Sequence, residues 1–438
     1  MRAAGKGWAG DEALPGVVSG SERQTALSPF RVRSFRFQWP ADLSTSWAFE
    51  METLILGWYV LVESGSVLML TVFGALQYLG TLIAPMMGVA GDRIGTRNLL
   101  CLLRASYTML SACVATLAFT GMLTPELVLV FAGLLGIVRP SDMGIRSSVV
   151  AEIVPAHHLV SAMGIARTTS DSARIVGALT GAGMFAALGM APAYALVTVF
   201  YAAGCLFTLG VARAPSAAAL AVETAAGASR PSPWRDLREG ILYVWNTPHL
   251  LAGMWLACLV NLVGFPLSLN LLPYVAKSIY LTDQTGLGYL VAGFAGGALL
   301  GSTTMSFIGG WIRPGRMMIV FACLWHLMLL IFAQVETASV GVVVLAIAGF
   351  TQSFSMVPMS VMLLRTAEPR FRGRVMGVRA LAVYTLPIGL LTAGALIERI
   401  GYPATATLYA GFGILVTLLI AVYWRNAVWR IDGAANAR

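Results

Sequence analysis

Charge is what this sequence has least of. Asp, Glu, Lys and Arg make up 11% of 438 residues, where a soluble domain carries roughly 25%. With 58% hydrophobic residues and a strongly positive mean hydropathy, that shortage excludes an ordinary soluble domain. Cysteine is also scarce. Cys101, Cys113, Cys205, Cys258 and Cys323 fall inside apolar stretches without metal-ligand spacing. They support neither a disulfide nor a zinc framework and read as packing residues. His157, His158, His249 and His326 form no constellation, no serine, histidine and acid share one level, and no Gly-Lys-Ser phosphate loop occurs. These gaps argue against an enzyme and an ATP-driven pump, and no cofactor or metal site is read. Residues 1–30 lack the apolar core and cleavage site of a secretory signal and read as a cytoplasmic tail.

What is present is apolar length. A bilayer core needs about 20 mainly apolar residues per helix, and about twelve such stretches lie between residues 36 and 428. In lipid every backbone group must be paired within a helix or a closed barrel, and unbroken apolar runs do not fit the alternation of a barrel. The fold class is therefore an all-α polytopic membrane protein. The net charge of +9 is decided by its placement. With a cytoplasmic amino terminus, the inside loops hold Arg93 and Arg97; Arg213, Arg230, Arg235 and Arg238; Arg313 and Arg316; and Arg370, Arg372, Arg374 and Arg379. The opposite loops hold Lys277 and Arg399. This is the positive-inside pattern, so both termini are expected in the cytoplasm of a cytoplasmic-membrane protein. Nucleic acid is not expected as a partner, because no single soluble face gathers these charges.

The stretch 214–235 is small, polar and proline-bearing and reads as a linker between bundles 31–213 and 236–438. "SAMGIAR" at 161–167 is echoed by "RVMGVRA" at 374–380, and Gly177 and Gly181 answer Gly389 and Gly394. Duplicated halves point to a transporter with a site between them.

One polar knot interrupts the apolar runs: "GVAGDRIGTRNLL", residues 88–100. Gly88, Asp92, Arg93, Gly95 and Arg97 resemble the loop between helices two and three of the major facilitator superfamily. Thr96 stands where that pattern has a basic residue. The resemblance extends over residues 31–428. "SFRFQWPADLSTSWAFEMETLILGWYV", "AEIVPAHHLVSAMGIARTTSDSARIVGALTGAG", "GLGYLVAGFAGGALLGS" and "RGRVMGVRALAVYTLPIG" look like the branch containing macrolide-efflux and enterobactin exporters. It implies twelve transmembrane helices in two pseudo-twofold six-helix bundles. It further implies that the loop latches the halves on the cytoplasmic side, and that helices one, four, seven and ten line the cavity. Physically, Asp92 can sit at a helix amino end, worth about 0.3–2 kcal/mol, and can pair with Arg97. The glycine-proline pattern of helix five appears here without its proline. Gly177 and Gly181 still offer a packing face, with Arg174 one turn before them, read as a partner for helix one or a contact for an acidic substrate.

Helix one carries Asp42, Glu50 and Glu52; helix four carries Arg139, Asp142 and Arg146. Each such charge costs roughly 2.5–3.5 kcal/mol at a helix centre, so it is expected to be paired, protonated or facing water. Glu50 and Glu52 point about 160° apart and cannot share one cavity, while Asp42 lies about 80° round from Glu50. The proton-coupling candidates are Glu50 first, then Glu52 and Asp42, with Arg139 holding a carboxylate ionised. A static ion pair with Arg139 is the alternative. The substrate surface is read from Trp47 and Phe49 in helix one, Asn261, Asn270 and Tyr274 around Pro266 in helix seven, and Gln352, Ser355 and Met356 before Pro358 in helix ten. Trp255 and Met359 are read as further apolar wall. Both prolines can free backbone carbonyls.

The expected function is a monomeric secondary transporter exporting a small amphipathic molecule (drug, siderophore or metabolite) by proton antiport, its partners being substrate, protons and the lipid bilayer. A lysophospholipid flippase or uptake carrier of the same fold, and a membrane sensor or scaffold without transport, stay open.

Overall fold

The computed structural model describes residues 27–82, 91, 94–212, 233–308 and 313–434, and among these the chain is helical with no strand. Among the described residues, twelve helical segments build the two bundles, and Pro233–Trp245 and Arg425–Ala434 are further short helices. The first six are α1 (Arg33–Ser64), α2 (Val67–Leu76, continued by the 3-10 turn Leu79–Leu82), α3 (Thr96–Phe119), α4 (Pro125–Ile153), α5 (Ala156–Leu188) and α6 (Met190–Leu209). The second six are α7 (Pro248–Ile279), α8 (Gln284–Ile308), α9 (Pro314–Phe332), α10 (Ala338–Thr366), α11 (Arg372–Ile400) and α12 (Tyr402–Tyr423). Among the described residues nine are long and apolar enough to cross a membrane; α1, α2 and α5 are the other three. The reason differs between them. The apolar part of α2 is short, Val67–Thr81, while α1 contains Asp42, Glu50 and Glu52 and α5 contains Arg167, Asp171 and Arg174.

Local chemistry sets the helix ends. Gly65, at φ 65°, stops α1 in a conformation other residues rarely adopt. Ser66 then caps α2 by accepting from Met69 N at 3.2 Å, and Thr124 caps α4 ahead of Pro125. Helix α7 is irregular. Its hydrogen bonding widens to π-turns at Val260–Gly264, Pro266–Asn270 and Val275–Ile279, as expected where Pro266 and Pro273 donate no backbone N–H. Pro358, by contrast, lies inside an unbroken α10.

Helices α1–α6 and α7–α12 pack as two bundles with matching internal contacts. Between α2 and α4, a Cβ on Gly136 would sit 1.9 Å from Leu76 O; between α8 and α10, one on Gly297 would sit 1.8 Å from Ala346 O. Gly177 brings α5 against Trp47 O of α1, and Gly389 brings α11 against Leu262 O of α7. A little over one turn further on, Ala182 meets Gly288 of α8, and Gly394 meets Thr71 of α2. These two contacts join the bundles as a twofold axis would. The counterpart of Gly394 is thus Ala182, not Gly181 as the sequence echo suggested; Gly181 packs on Met51 of α1.

Further contacts between the bundles gather at the end holding the α1–α2 turn. Lys277 Nζ donates to Leu61 O and Val62 O at 3.5 and 3.4 Å, and Ser66 Oγ donates to Glu398 Oε1 at 3.5 Å. Gly57 packs near Phe73 and Pro273.

Candidate functional site

Three acids of α1, Asp42, Glu50 and Glu52, enter three different surroundings, because helical phase turns each toward different neighbours. Glu52, 1% exposed, is shared among α4 and α6. It accepts from Arg139 Nη2 at 2.5 Å, from the Tyr201 hydroxyl at 2.7 Å and from the Tyr194 hydroxyl at 2.5 Å. Arg139 is committed as fully. It also donates to Gln77 Oε1 on the chain following α2 at 2.7 Å, and its guanidinium carbon lies 3.6 Å from the centroid of the Phe49 ring. This cluster fastens α1, α2, α4 and α6 together.

Asp42 heads a second cluster one level away. Its Oδ1 accepts from Arg104 Nη2 of α3, from Gln38 at 2.8 Å, and lies 3.3 Å from Arg146 Nε. Arg146 also pairs with Asp142 at 2.8 Å and donates to Ser46 Oγ at 3.0 Å. Arg104 is fully buried, and its second arm donates to Thr208 of α6. Two acids and two arginines make this a neutral, closed group, the form in which buried charges are tolerable.

Glu50 stands apart from both. Its one ion-pair partner among the described residues is Arg174 of α5, with Nε 3.4 Å from Oε1; the side chains are 17% and 31% exposed. Gly177, one turn along, lets α5 approach so closely that a Cβ there would meet the Glu50 Cβ at 2.9 Å. Arg139 therefore holds Glu52 and not Glu50, and of the two readings of Arg174 the structure realises the helix-one partner. Arg167 reaches back to Asp171 at 3.0 Å.

The expected substrate residues meet different neighbours. Trp47 packs edge-on against Phe200 with centroids 5.4 Å apart, and Phe49 sits under Arg139. Asn261 donates to Ala257 O of its own helix at 2.8 Å. Asn270 lies beside Gly74, and Tyr274 lies 6.1 Å from Tyr402 by ring centroids. Gln352 accepts from Ser353 at 3.5 Å, and Met356 is half-buried in the main core. Ser355 must be reassigned: it is fully buried and donates to Met318 O of α9 at 2.9 Å. Met359 is likewise buried, while Trp255 is exposed.

Of the loop motif, Gly88, Asp92 and Arg93 lie outside the described residues. Gly95, at φ 87°, opens α3. Arg97 donates to Leu209 O at the end of α6 and to Asn98. Thr96 donates to Glu152 near the end of α4 at 2.6 Å. Sequence reasoning missed Arg104, Gln77, Tyr194 and Tyr201. Arg104 carried a signal, since an arginine two turns inside an apolar run requires a partner; the other three resemble ordinary helix residues.

Two helical bundles, the first with ion pairs buried among α1, α3, α4 and α5, define a polytopic membrane protein of transporter architecture. The chain belongs to the Major Facilitator Superfamily, whose signature matches residues 43–388. Solved structures of similar fold include a POT family transporter, PepTSo, at TM-score 0.69 and 12% identity, covering 90% of this chain and 98% of that one. A D-xylose-proton symporter aligns at 0.65 and 13%, covering 88% and 96%. The nucleoside transporter NupG aligns at 0.64 and 13%, covering 89% and 99%. No curated protein sequence matches the chain.

Proposed function

We propose that the protein is a proton-coupled antiporter exporting a small amphipathic organic compound across the cytoplasmic membrane, as a monomer with both termini inside. Bundles 31–213 and 236–438, joined by the linker 214–235, rock about the space between them. One observation carries this reading: the contrast between Glu50 and its α1 neighbours Asp42 and Glu52. Asp42 and Glu52 are each held by several donors and enclosed, whereas Glu50 keeps one ion-pair partner at 3.4 Å and some exposure. A proton carrier needs access to water and a cation that conformational change can displace. Arg174 meets that need, because α5 also touches the opposite bundle through Ala182 and Gly288. Movement of the bundles then alters what surrounds Glu50, and coupling requires only that proton and substrate prefer different conformations.

The loop Gly88, Asp92, Arg93, Gly95 and Arg97 serves as the cytoplasmic latch. Thr96 and Arg97 anchor the end of this loop within the first bundle, to the ends of α4 and α6, and the latch itself is what the resemblance of the motif suggests. The contacts at the α1–α2 turn then close the outer side. The likeness to a D-xylose-proton symporter suits proton coupling but equally suits uptake, so direction is the point to test. Everted vesicles with an acid lumen should accumulate an exported compound from a panel of macrolides, siderophores and amphipathic metabolites, and a protonophore should abolish the accumulation. Gradient-driven uptake seen only in right-side-out vesicles would replace export by import.

A further inference from the structure

A surface helix precedes the second bundle. Pro233–Trp245 ends just before α7 begins at Pro248, so it lies at the depth where a bilayer's headgroups meet its span. One side is clasped to the α10–α11 connection. Glu239 pairs with Arg374 at 2.9 Å, and Tyr243 stacks on Phe371 with centroids 4.2 Å apart and rings within 6° of parallel. The Tyr243 hydroxyl accepts from Glu368 N at 3.2 Å.

The other side has no such cover. Positions 235, 238, 241, 242 and 245 recur at helical spacing and form one stripe. It begins with Arg235, which also pairs with Glu239 of its own helix at 3.1 Å, and Arg238, both exposed, and continues with Ile241, Leu242 and Trp245, exposed by 41, 51 and 63%. Two cations followed by three apolar side chains, one of them tryptophan, is the arrangement that seats a helix in an anionic interface. Arg372, exposed at the start of α11, adds a cation at the same end.

We infer that this stripe is a binding surface for anionic phospholipid headgroups, and that the clasp passes their presence to the α10–α11 connection. Headgroup phosphates meet Arg235 and Arg238 while Trp245 and its neighbours enter the acyl boundary. The helix is then held in place, and through Glu239 and Tyr243 so are Arg374 and Phe371, which lead into α11. Anionic lipid thereby biases a helix that also faces the other bundle through Gly394.

The test uses the full chain in phosphatidylcholine nanodiscs with and without phosphatidylglycerol, and reads hydrogen exchange of residues 233–245 and 368–381. Because it does not measure transport, its outcome is independent of the antiport proposal. With phosphatidylglycerol both segments should exchange roughly thirtyfold more slowly, the change expected of two arginines at an anionic surface, and high salt should erase most of the difference. The Arg235→Gln/Arg238→Gln double variant should lose the lipid response while the Arg235→Lys/Arg238→Lys variant retains it. Equal exchange in both lipids, or a response unchanged in the glutamine variant, overturns the inference. So does protection that follows protein concentration instead of lipid charge, which would assign the stripe to a second copy of the chain.

Discussion

Glu50 meets Arg174 across the α1–α5 seam at 3.4 Å, while Glu52, facing away from it on the same helix, is gripped by Arg139, Tyr194 and Tyr201. Neighbouring carboxylates on one helix thus have opposite settings. One is saturated with donors and holds helices together; the other has a longer ion pair and is less fully enclosed. On the proposed function, that difference would divide structure from coupling.

Replacing Glu52 by Gln leaves the Arg139 guanidinium buried without its counter-charge. Breaking one side of a buried pair costs about 3–5 kcal/mol, whereas the more exposed Glu50 pair is worth about 1 kcal/mol or less. Thermal unfolding in detergent should therefore show a large loss for Glu52→Gln and a small one for Glu50→Gln. Equal losses would mean that the Glu52 cluster is not the fastening it is taken to be.

Tyr194→Phe removes one hydroxyl from the same carboxylate and leaves Arg139 and Tyr201 in place. A hydrogen bond to a charged group contributes about 1.5–3 kcal/mol, so the variant should fall between the two above in the same unfolding measurement.

Asp42 and Arg104 should behave as a coupled unit. In a double-mutant cycle of Asp42→Asn and Arg104→Gln, the combined loss should be smaller than the sum of the single losses by about 0.5–3 kcal/mol. Strict additivity would show that the pair does not act together.

Neighbouring glycines of α8 offer a matched comparison. A Cβ on Gly297 would lie 1.8 Å from Ala346 O, while one on Gly296 would have nothing within 4 Å. Gly297→Ala should cost about 1–3 kcal/mol through forced backbone shift, and Gly296→Ala should be neutral or stabilise by up to about 1 kcal/mol. The yield of folded protein on size exclusion and its melting temperature distinguish the two.

The membrane fold was legible because it rests on a one-dimensional quantity, the length of the apolar runs. Helical phase also separated Glu50 from Glu52 correctly, since about 160° of rotation leaves no other outcome. Phase does not say which neighbour each face meets. Which carboxylate Arg139 holds was therefore left open, and Ser355 was turned toward a cavity when it faces α9. Tyr194 and Tyr201 became members of a charge cluster only once α6 was packed against α1. The Gly181 and Gly394 correspondence failed by one residue because spacing between glycines does not record which one faces the other bundle.

The most direct test of Glu50 as proton carrier is initial-rate transport in everted vesicles at matched expression, with and without an imposed pH gradient, for the unmodified chain and Glu50→Gln. The gradient should speed transport by the unmodified chain and leave the variant's rate unchanged, with residual exchange of substrate down its own gradient. A variant that still concentrates substrate when driven by the pH gradient would contradict the assignment.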